Sequence, residues 1–327
     1  MILNIACIVA GFILLVKGGD FLVDGSVAIA RRAKLSPMVI GLTVMGFGTS
    51  APELLVSAQA AWQGSSGIAL GNVAGSNIAN IGLILGLTAM MRALPAGRKT
   101  LAVDMPFMLG AMGMLVGCAA WSGRIERWMG MAMVLVLVAY VWLEIAWERR
   151  QVRRARRAEE VQEGDGTEEV MPLWKALGLV VVSLAAMVWG SRLLVDGASS
   201  VAMDLGRMLG VAKEEMERIV GLTVVALGTS LPELFASVMA ARKGETGMAV
   251  GNIIGSVSFN ILCVVGVAST IAPIDGAWTG FAADYGVMCA MGLVLWAFLW
   301  TGHKMGRAEG AVLLMGYAAY ILWIMPS

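Results

Sequence analysis

Apolar residues run through the chain in ten long blocks, at residues 2 to 30, 36 to 61, 67 to 91, 101 to 121, 127 to 147, 173 to 202, 219 to 241, 246 to 271, 281 to 301 and 308 to 325, with charges or Gly/Pro turns between them. A helix needs roughly 20 such residues to cross a bilayer. The pattern therefore predicts an all-α integral membrane protein with ten transmembrane helices. The first block, MILNIACIVAGFILLV, lacks the basic opening and cleavage site of a removable signal peptide, so it is expected to stay as the first span.

Composition narrows the class. Of 327 residues, 58% are apolar and 14% charged, against about 25% charged in soluble domains, which excludes a soluble enzyme and a disordered chain. A net charge of +1 gives no reason to invoke nucleic acid. The cations lie between the blocks, and Arg149, Arg150, Arg153, Arg154, Arg156 and Arg157 cluster after the fifth. Such a cluster resists translocation, so this segment is expected in the cytoplasm. Alternating outward from it puts 17 of the 24 Lys and Arg inside and both termini outside. Residues 148–172, where Glu159, Glu160, Glu163, Asp165, Glu168 and Glu169 follow the arginines, read as a solvated linker too short for a large regulatory domain. Cys7, Cys118, Cys263 and Cys289 show no paired spacing, and His303 is the sole histidine, which argues against a disulfide scaffold or a zinc site.

Sliding the chain against itself reveals a duplication: residues 41–86 match 221–266 at an offset of 180, with 23 identities in 46 positions. A weaker match, LLVKGGDFLVDG around Asp24 against MVWGSRLLVDG around Asp196, extends it upstream. The unit is five helices, residues 1–147 and 173–327. Because five is odd, the second copy enters the membrane from the other side, and the two copies should be related by a two-fold axis in the membrane plane, as in many secondary transporters.

The duplicated segments carry the scarce polar residues. GLTVMGFGTSAPELLVSAQA and GLTVVALGTSLPELFASVMA each place a proline mid-span, so Pro52 and Pro232 should break their helices, the second and the seventh, near Gly48 and Gly228. Glu53 and Glu233 follow directly, and a carboxylate at that depth demands compensation. Thr49, Glu53 and Ser57 share a helical face, as do Thr229, Glu233 and Ser237. In the next helices Asn72, Ser76 and Asn80 form one polar stripe and Asn252, Ser256 and Asn260 another, beside the close-packing glycines Gly71, Gly75, Gly251 and Gly255. Two carboxylates, the hydroxyls of Thr49, Ser50, Thr229 and Ser230, the amides of Asn80 and Asn260 and the carbonyls freed at the breaks make an oxygen-only site for a hard cation, Ca2+ or Na+. Two glutamates balance one Ca2+ or two Na+, so exchange of one Ca2+ for more than two Na+ would be electrogenic.

With GTSxPE and GNxxGSxxxN each present twice and in order, the chain resembles the cation/Ca2+ exchanger superfamily, and within it the prokaryotic sodium/calcium exchangers. The resemblance implies that Glu53 and Glu233 hold Ca2+ centrally. It also implies that Thr49, Ser50, Thr229, Ser230, Ser76 and Ser256 complete flanking Na+ sites, that Gly46 and Ala226 add carbonyl ligands, and that helices 1 and 6 slide across a fixed core. The expected activity is Na+/Ca2+ antiport by alternating access in the cell (inner) membrane. Ca2+ and Na+ are then transported ions and no cofactor, enzymatic role or protein partner is implied beyond membrane lipid. Two residues depart from the family pattern: Asn260 stands where some relatives, including the potassium-dependent ones, have Asp, and Val257 stands where the usual form is GSNxxN.

Plainer readings stand beside these. Thr49 and Thr229 could bond back to carbonyls one turn earlier. Asn72 and Asn252 could be contacts between helices. Asp24 and Asp196 lie near helix ends, where water or Arg192 can satisfy them, and Lys17 with Asp20 reads as a local pair. Helices 4, 5, 9 and 10 read as scaffold. Ca2+/H+ exchange through the same glutamates is the nearest rival, and a passive cation channel is a rival of another class.

Overall fold

The computed structural model describes residues 2–159, 171–208, 226–278 and 280–324, almost entirely as helices. In chain order these are α1 (Ile2–Ala33), α2 (Pro37–Thr49), α3 (Ala51–Trp62), α4 (Ser66–Met91), α5 (Thr100–Ser122), α6 (Arg127–Glu159), α7 (Leu173–Met208), α8 (Ala226–Gly228), α9 (Leu231–Arg242), α10 (Thr246–Ile271), α11 (Ala282–Gly302) and α12 (Arg307–Ile324). Among the described residues, seven helices are long and apolar enough to cross a membrane, and α2 with α3, bent by 44°, makes an eighth span. The α8–α9 pair and α12 fall outside that count. The expected seventh span begins in residues 219–225, which lie outside the described residues, as does the stretch 160–170 of the expected linker.

One boundary moves. α6 continues past 147 to Glu159, so the first part of the expected linker is helical. Arg, Ala and Glu are strong helix formers, and a helix leaving the membrane can carry their charges into water.

Burial ranks the helices. In α4 and α10, 78% and 89% of the apolar window is enclosed by protein, against 22% and 28% in α1 and α7. The two helices with the polar stripes are thus the centre of the molecule, and α1 and α7 lie on its flank. α10 crosses α2 with backbones touching: a Cβ on Gly251 would press into the carbonyl of Met38, one on Gly255 into that of Leu42, and one on Gly41 into that of Met248. α1 and α7 pair antiparallel through a glycine seam, with Gly11 against Gly190, Gly18 against Ser183 and Met187, and Gly25 against Ala176 and Val180.

α1 is also tied to the core by charge. Lys243, just past α9, lies 2.9 Å from Asp20 and 2.7 Å from Asp24 of α1. Lys243 thus bridges both carboxylates: this corrects the expected local pair, since Asp20 pairs with Lys243 and not with Lys17, while Asp24 finds a partner near its helix end as expected. Arg192 and Asp196 are both exposed on α7 and make no ion pair with each other.

Contacts in the expected scaffold recur 180 residues apart. Leu94 pairs with Met305 as Ile125 does with Ile274. Gly130 abuts the Gly266 carbonyl as Gly310 abuts that of Gly86. The Tyr140 hydroxyl donates to Asp104 at 3.1 Å and that of Tyr320 to Asp284 at 2.8 Å. In the strand and glycine pairs, each contact between halves has a counterpart with the halves exchanged. The offset of 180 that relates residues 41–86 to 221–266 thus also relates these contacts of α5, α6, α11 and α12, although few of their residues are identical.

Candidate cation site

The breaks sit at Ser50 (φ −83°, ψ 5°) and Ser230 (φ −88°, ψ 3°), two residues after the expected Gly48 and Gly228. A proline ring collides with the carbonyl four residues earlier, which for Pro52 and Pro232 is that of Gly48 and Gly228. The helix cannot run through, and it restarts with proline in the first turn of α3 and of α9. Glu53 and Glu233 occupy those same first turns, where the positive end of the helix dipole favours a carboxylate.

Around the breaks the hydrogen bonds form in matched pairs. Asn72 Nδ2 donates to the Glu53 carbonyl at 3.3 Å and to Ser57 Oγ at 2.9 Å. Asn252 Nδ2 does the same for Glu233 at 3.4 Å and Ser237 at 2.9 Å. Both asparagines are thus contacts between helices that hold the restarted segments against α4 and α10. Their oxygens face the opposite half: Asn252 Oδ1 is 3.4 Å from Thr49 Oγ1, and Asn72 Oδ1 is 3.5 Å from Thr229 Oγ1.

Thr49 Oγ1 lies 3.0 Å from the Met45 carbonyl, so the back-bonding reading of this threonine holds. A hydroxyl has one proton and two lone pairs; giving the proton to Met45 leaves the lone pairs for a cation. Ser256 Oγ is 3.4 Å from Thr49 Oγ1 and 3.4 Å from the Gly46 carbonyl, and that carbonyl also accepts from the Ser50 amide at 3.3 Å. Ser50 Oγ reaches across to Glu233 Oε1 at 3.1 Å. Thr229 and Ser230 hold the equivalent places at the break of the other half. Ala226 opens α8 at the position equivalent to Gly46.

Thr49, Ser50, Glu53, Ser76, Asn80, Ser230, Glu233, Ser256 and Asn260 are all at most 3% exposed, and Thr229 is half-buried. Buried polar atoms in folded proteins nearly always have partners. Here, among the described residues, both Glu53 oxygens, Glu233 Oε2, Ser76 Oγ, Ser230 Oγ, Asn80 Oδ1 and Asn260 Oδ1 have none. Two carboxylates and a ring of neutral oxygens left unpartnered suit a hard cation, which needs many oxygen ligands and no donors. A cavity of about 260 Å³ between α3 and α7, lined by Pro52, Gln59, Ser191, Arg192, Asp196 and Thr229 among others, reaches this region from the flank.

Asn80 and Asn260 each begin a π-helical turn, Asn80–Leu85 and Asn260–Val265, a local widening common at functional sites. Asn77 lies outside both polar stripes, yet its Oδ1 accepts from Asn260 Nδ2 at 3.1 Å. Its only sequence signal is the mismatch with Val257 in the repeat.

Comparison with known proteins places these features. Residues 3–146 and 175–325 match the sodium/calcium exchanger protein family. CaxA of Alkalimonas amylolytica is 37% identical over 98% of both chains. The sodium/calcium exchanger MaX1 of Methanosarcina acetivorans is 32% identical over 98% of this chain and 97% of its own. Among solved structures, the sodium-calcium exchanger NCX_Mj superposes with a TM-score of 0.79 at 30% identity, covering 99% of each chain. A match along both halves and nearly the whole length leaves one conclusion: the chain belongs to the sodium/calcium exchanger family.

Proposed function

We propose that this protein is a secondary antiporter that exchanges Na+ for Ca2+ by alternating access, with Glu53 and Glu233 shared between the competing ions. The reading rests on one observation above all: among the described residues, three carboxylate oxygens of Glu53 and Glu233 and four neutral oxygens, those of Ser76, Ser230, Asn80 and Asn260, are buried with no partner. In this account Ca2+ sits between the glutamates, with Asn80 and Asn260 beside them. Na+ occupies flanking positions, one built from Thr49, Ser50, Ser256 and the Gly46 carbonyl, the other from Thr229, Ser230, Ser76 and the Ala226 carbonyl. Emptying the site would leave two like charges buried together, so release of one ion is coupled to entry of the other.

The architecture we infer is ten spans in two inverted halves, joined by the 148–172 segment, in the cell membrane with both termini outside. The reciprocal contacts support it. α1 and α7 are the moving pair: they carry little buried surface and pack mainly on each other, α7 lines the α3–α7 cavity, and α1 carries the Lys243 tie. The arginine-rich end of α6 marks the cytoplasmic side, so the tie closes that face while the cavity opens the other.

Two glutamates neutralise one Ca2+, so a cycle carrying more than two Na+ per Ca2+ moves net charge. In liposomes loaded with Na+ and clamped in pH, an inside-positive potential set with K+ and valinomycin should accelerate Na+-driven Ca2+ uptake. Uptake indifferent to Na+ and driven by a pH gradient would make the protein a Ca2+/H+ exchanger instead.

A further inference from the structure

Asn77 and Asn260 are both fully buried, and the bond between them, Nδ2 of Asn260 to Oδ1 of Asn77, joins the two halves at 3.1 Å. Asn77 is itself oriented by Met288, whose thioether sulfur accepts from Asn77 Nδ2 at 3.6 Å. Sulfur in that position can accept but has no proton to give, so the oxygen of Asn77 is the atom that faces Asn260. A primary amide carries its oxygen and its NH2 on opposite branches. Holding the NH2 of Asn260 toward Asn77 therefore turns Oδ1 the other way, where it meets no donor among the described residues. The turn that begins at Asn260 packs on α3, the helix of Glu53.

The first half supplies the comparison. Asn80 is the counterpart of Asn260 and Met108 of Met288, but the counterpart of Asn77 is Val257. There both amide atoms of Asn80 are buried without a partner. Among the described residues nothing selects which way the Asn80 amide points, whereas the Asn260 amide is set.

We propose that Asn77 is a positioning residue of the cation site, which locks the Asn260 amide with its oxygen toward the ion. The second half then offers a preset neutral ligand, and the first half, with Val257, one that turns to suit whichever ion is bound. This rests on the cation-site reading above.

Binding of radioactive Ca2+ to the purified full chain, beside thermal melting without Ca2+, tests the idea. Losing one orienting hydrogen bond should raise the Kd of Asn77→Val about 3- to 10-fold. Asn260→Ala should weaken binding as well, and adding Asn77→Val to it should cost nothing more, because Asn77 acts only through Asn260. In Asn260→Asp, a carboxylate presents an oxygen whichever way it turns, so Asn77→Val should again have no effect. An unchanged Kd in Asn77→Val, or losses that multiply with Asn260→Ala, would overturn the proposal; Asn77→Ala carries the same expectations if Asn77→Val does not fold. Ca2+ binding that survives Glu233→Gln would instead overturn the cation-site reading, which separates the two failures.

Discussion

Ser50 gives Glu233 a hydrogen bond at 3.1 Å, while Glu233 Oε2 and both oxygens of Glu53 remain unpartnered. Removing that hydroxyl strips a buried carboxylate of a charge-assisted bond, a loss of about 1–3 kcal/mol. Ser50→Ala should therefore lower the melting temperature of the cation-free protein, and Ca2+ should restore much of the difference, since a ligand that binds only the folded state stabilises it. A variant as stable as the parent without Ca2+ would mean that Glu233 has another partner. Most of the site at this scale was legible in the sequence because the repeat states it twice: GTSxPE and GNxxGSxxxN name the carboxylates, hydroxyls and amides that the fold brings together. Hydrogen-bond direction was not legible. That Thr49 bonds back to Met45 and that Asn77 turns Asn260 depend on which atom faces which, and Asn260 lies 183 positions from Asn77 along the chain.

At the scale of elements, glycines do different work in different helices. Gly251 of α10 lies against the Met38 backbone, and a Cβ there cannot be accommodated without moving α2. Gly113 of α5 has nothing within 4 Å of where a Cβ would be. Gly251→Ala should thus destabilise by about 1–3 kcal/mol or more, while Gly113→Ala should be neutral or stabilising by up to about 1 kcal/mol, as expected in a helix interior; thermal melting of both variants reads the contrast. The glycine spacing was visible in the sequence, and so were most of the helices, although the fifth block runs on to Glu159 and the sixth to Met208. The tie between α1 and Lys243 was not, since a lone lysine at a helix end does not name its partner. If α1 slides, this tie must open. In a background without the four cysteines, Met239→Cys, which borders the cavity beside Lys243, should react faster with a membrane-impermeant thiol reagent applied from the cytoplasmic side when Lys243→Gln is added. An unchanged rate would remove the tie from the gating account. Burial of Lys243 disfavours its charge, yet hydrogen bonds and attraction from Asp24 and Asp20 outweigh it and hold its pKa above the ordinary value. A raised lysine keeps its full contribution below its unfolded pKa of about 10.4 and loses it only as pH rises through the folded value. Taken as a ratio to the Lys243→Gln variant, which cancels the ionisation of the thiol itself, the labelling rate should accordingly stay constant through the neutral range and change only in strong alkali.

Over the whole molecule, the two halves are alike in contact more than in sequence. Tyr140 with Asp104 and Tyr320 with Asp284 occupy equivalent places, but the surroundings differ: Asp104 is fully buried with Oδ2 unpartnered, and Asp284 is partly exposed. Tyr140→Phe should therefore destabilise by about 1–3 kcal/mol and Tyr320→Phe by less, because water can replace the lost donor at Asp284; equal losses in melting would argue against the difference. A sequence comparison reached only residues 41–86 and 221–266 securely, since membrane scaffold helices tolerate any apolar residue of fitting shape and retain the duplication only where a glycine, an Asp–Tyr bond or a strand pair needs it. The account as a whole stands on cations being exchanged at Glu53 and Glu233. The most direct test follows radioactive Ca2+ into liposomes that hold the purified chain and are diluted from Na+ into Na+-free buffer. Uptake should require internal Na+ and fall to the protein-free background in Glu53→Gln and in Glu233→Gln, with both variants still folded. Ca2+ uptake that persists in either variant would contradict the shared site.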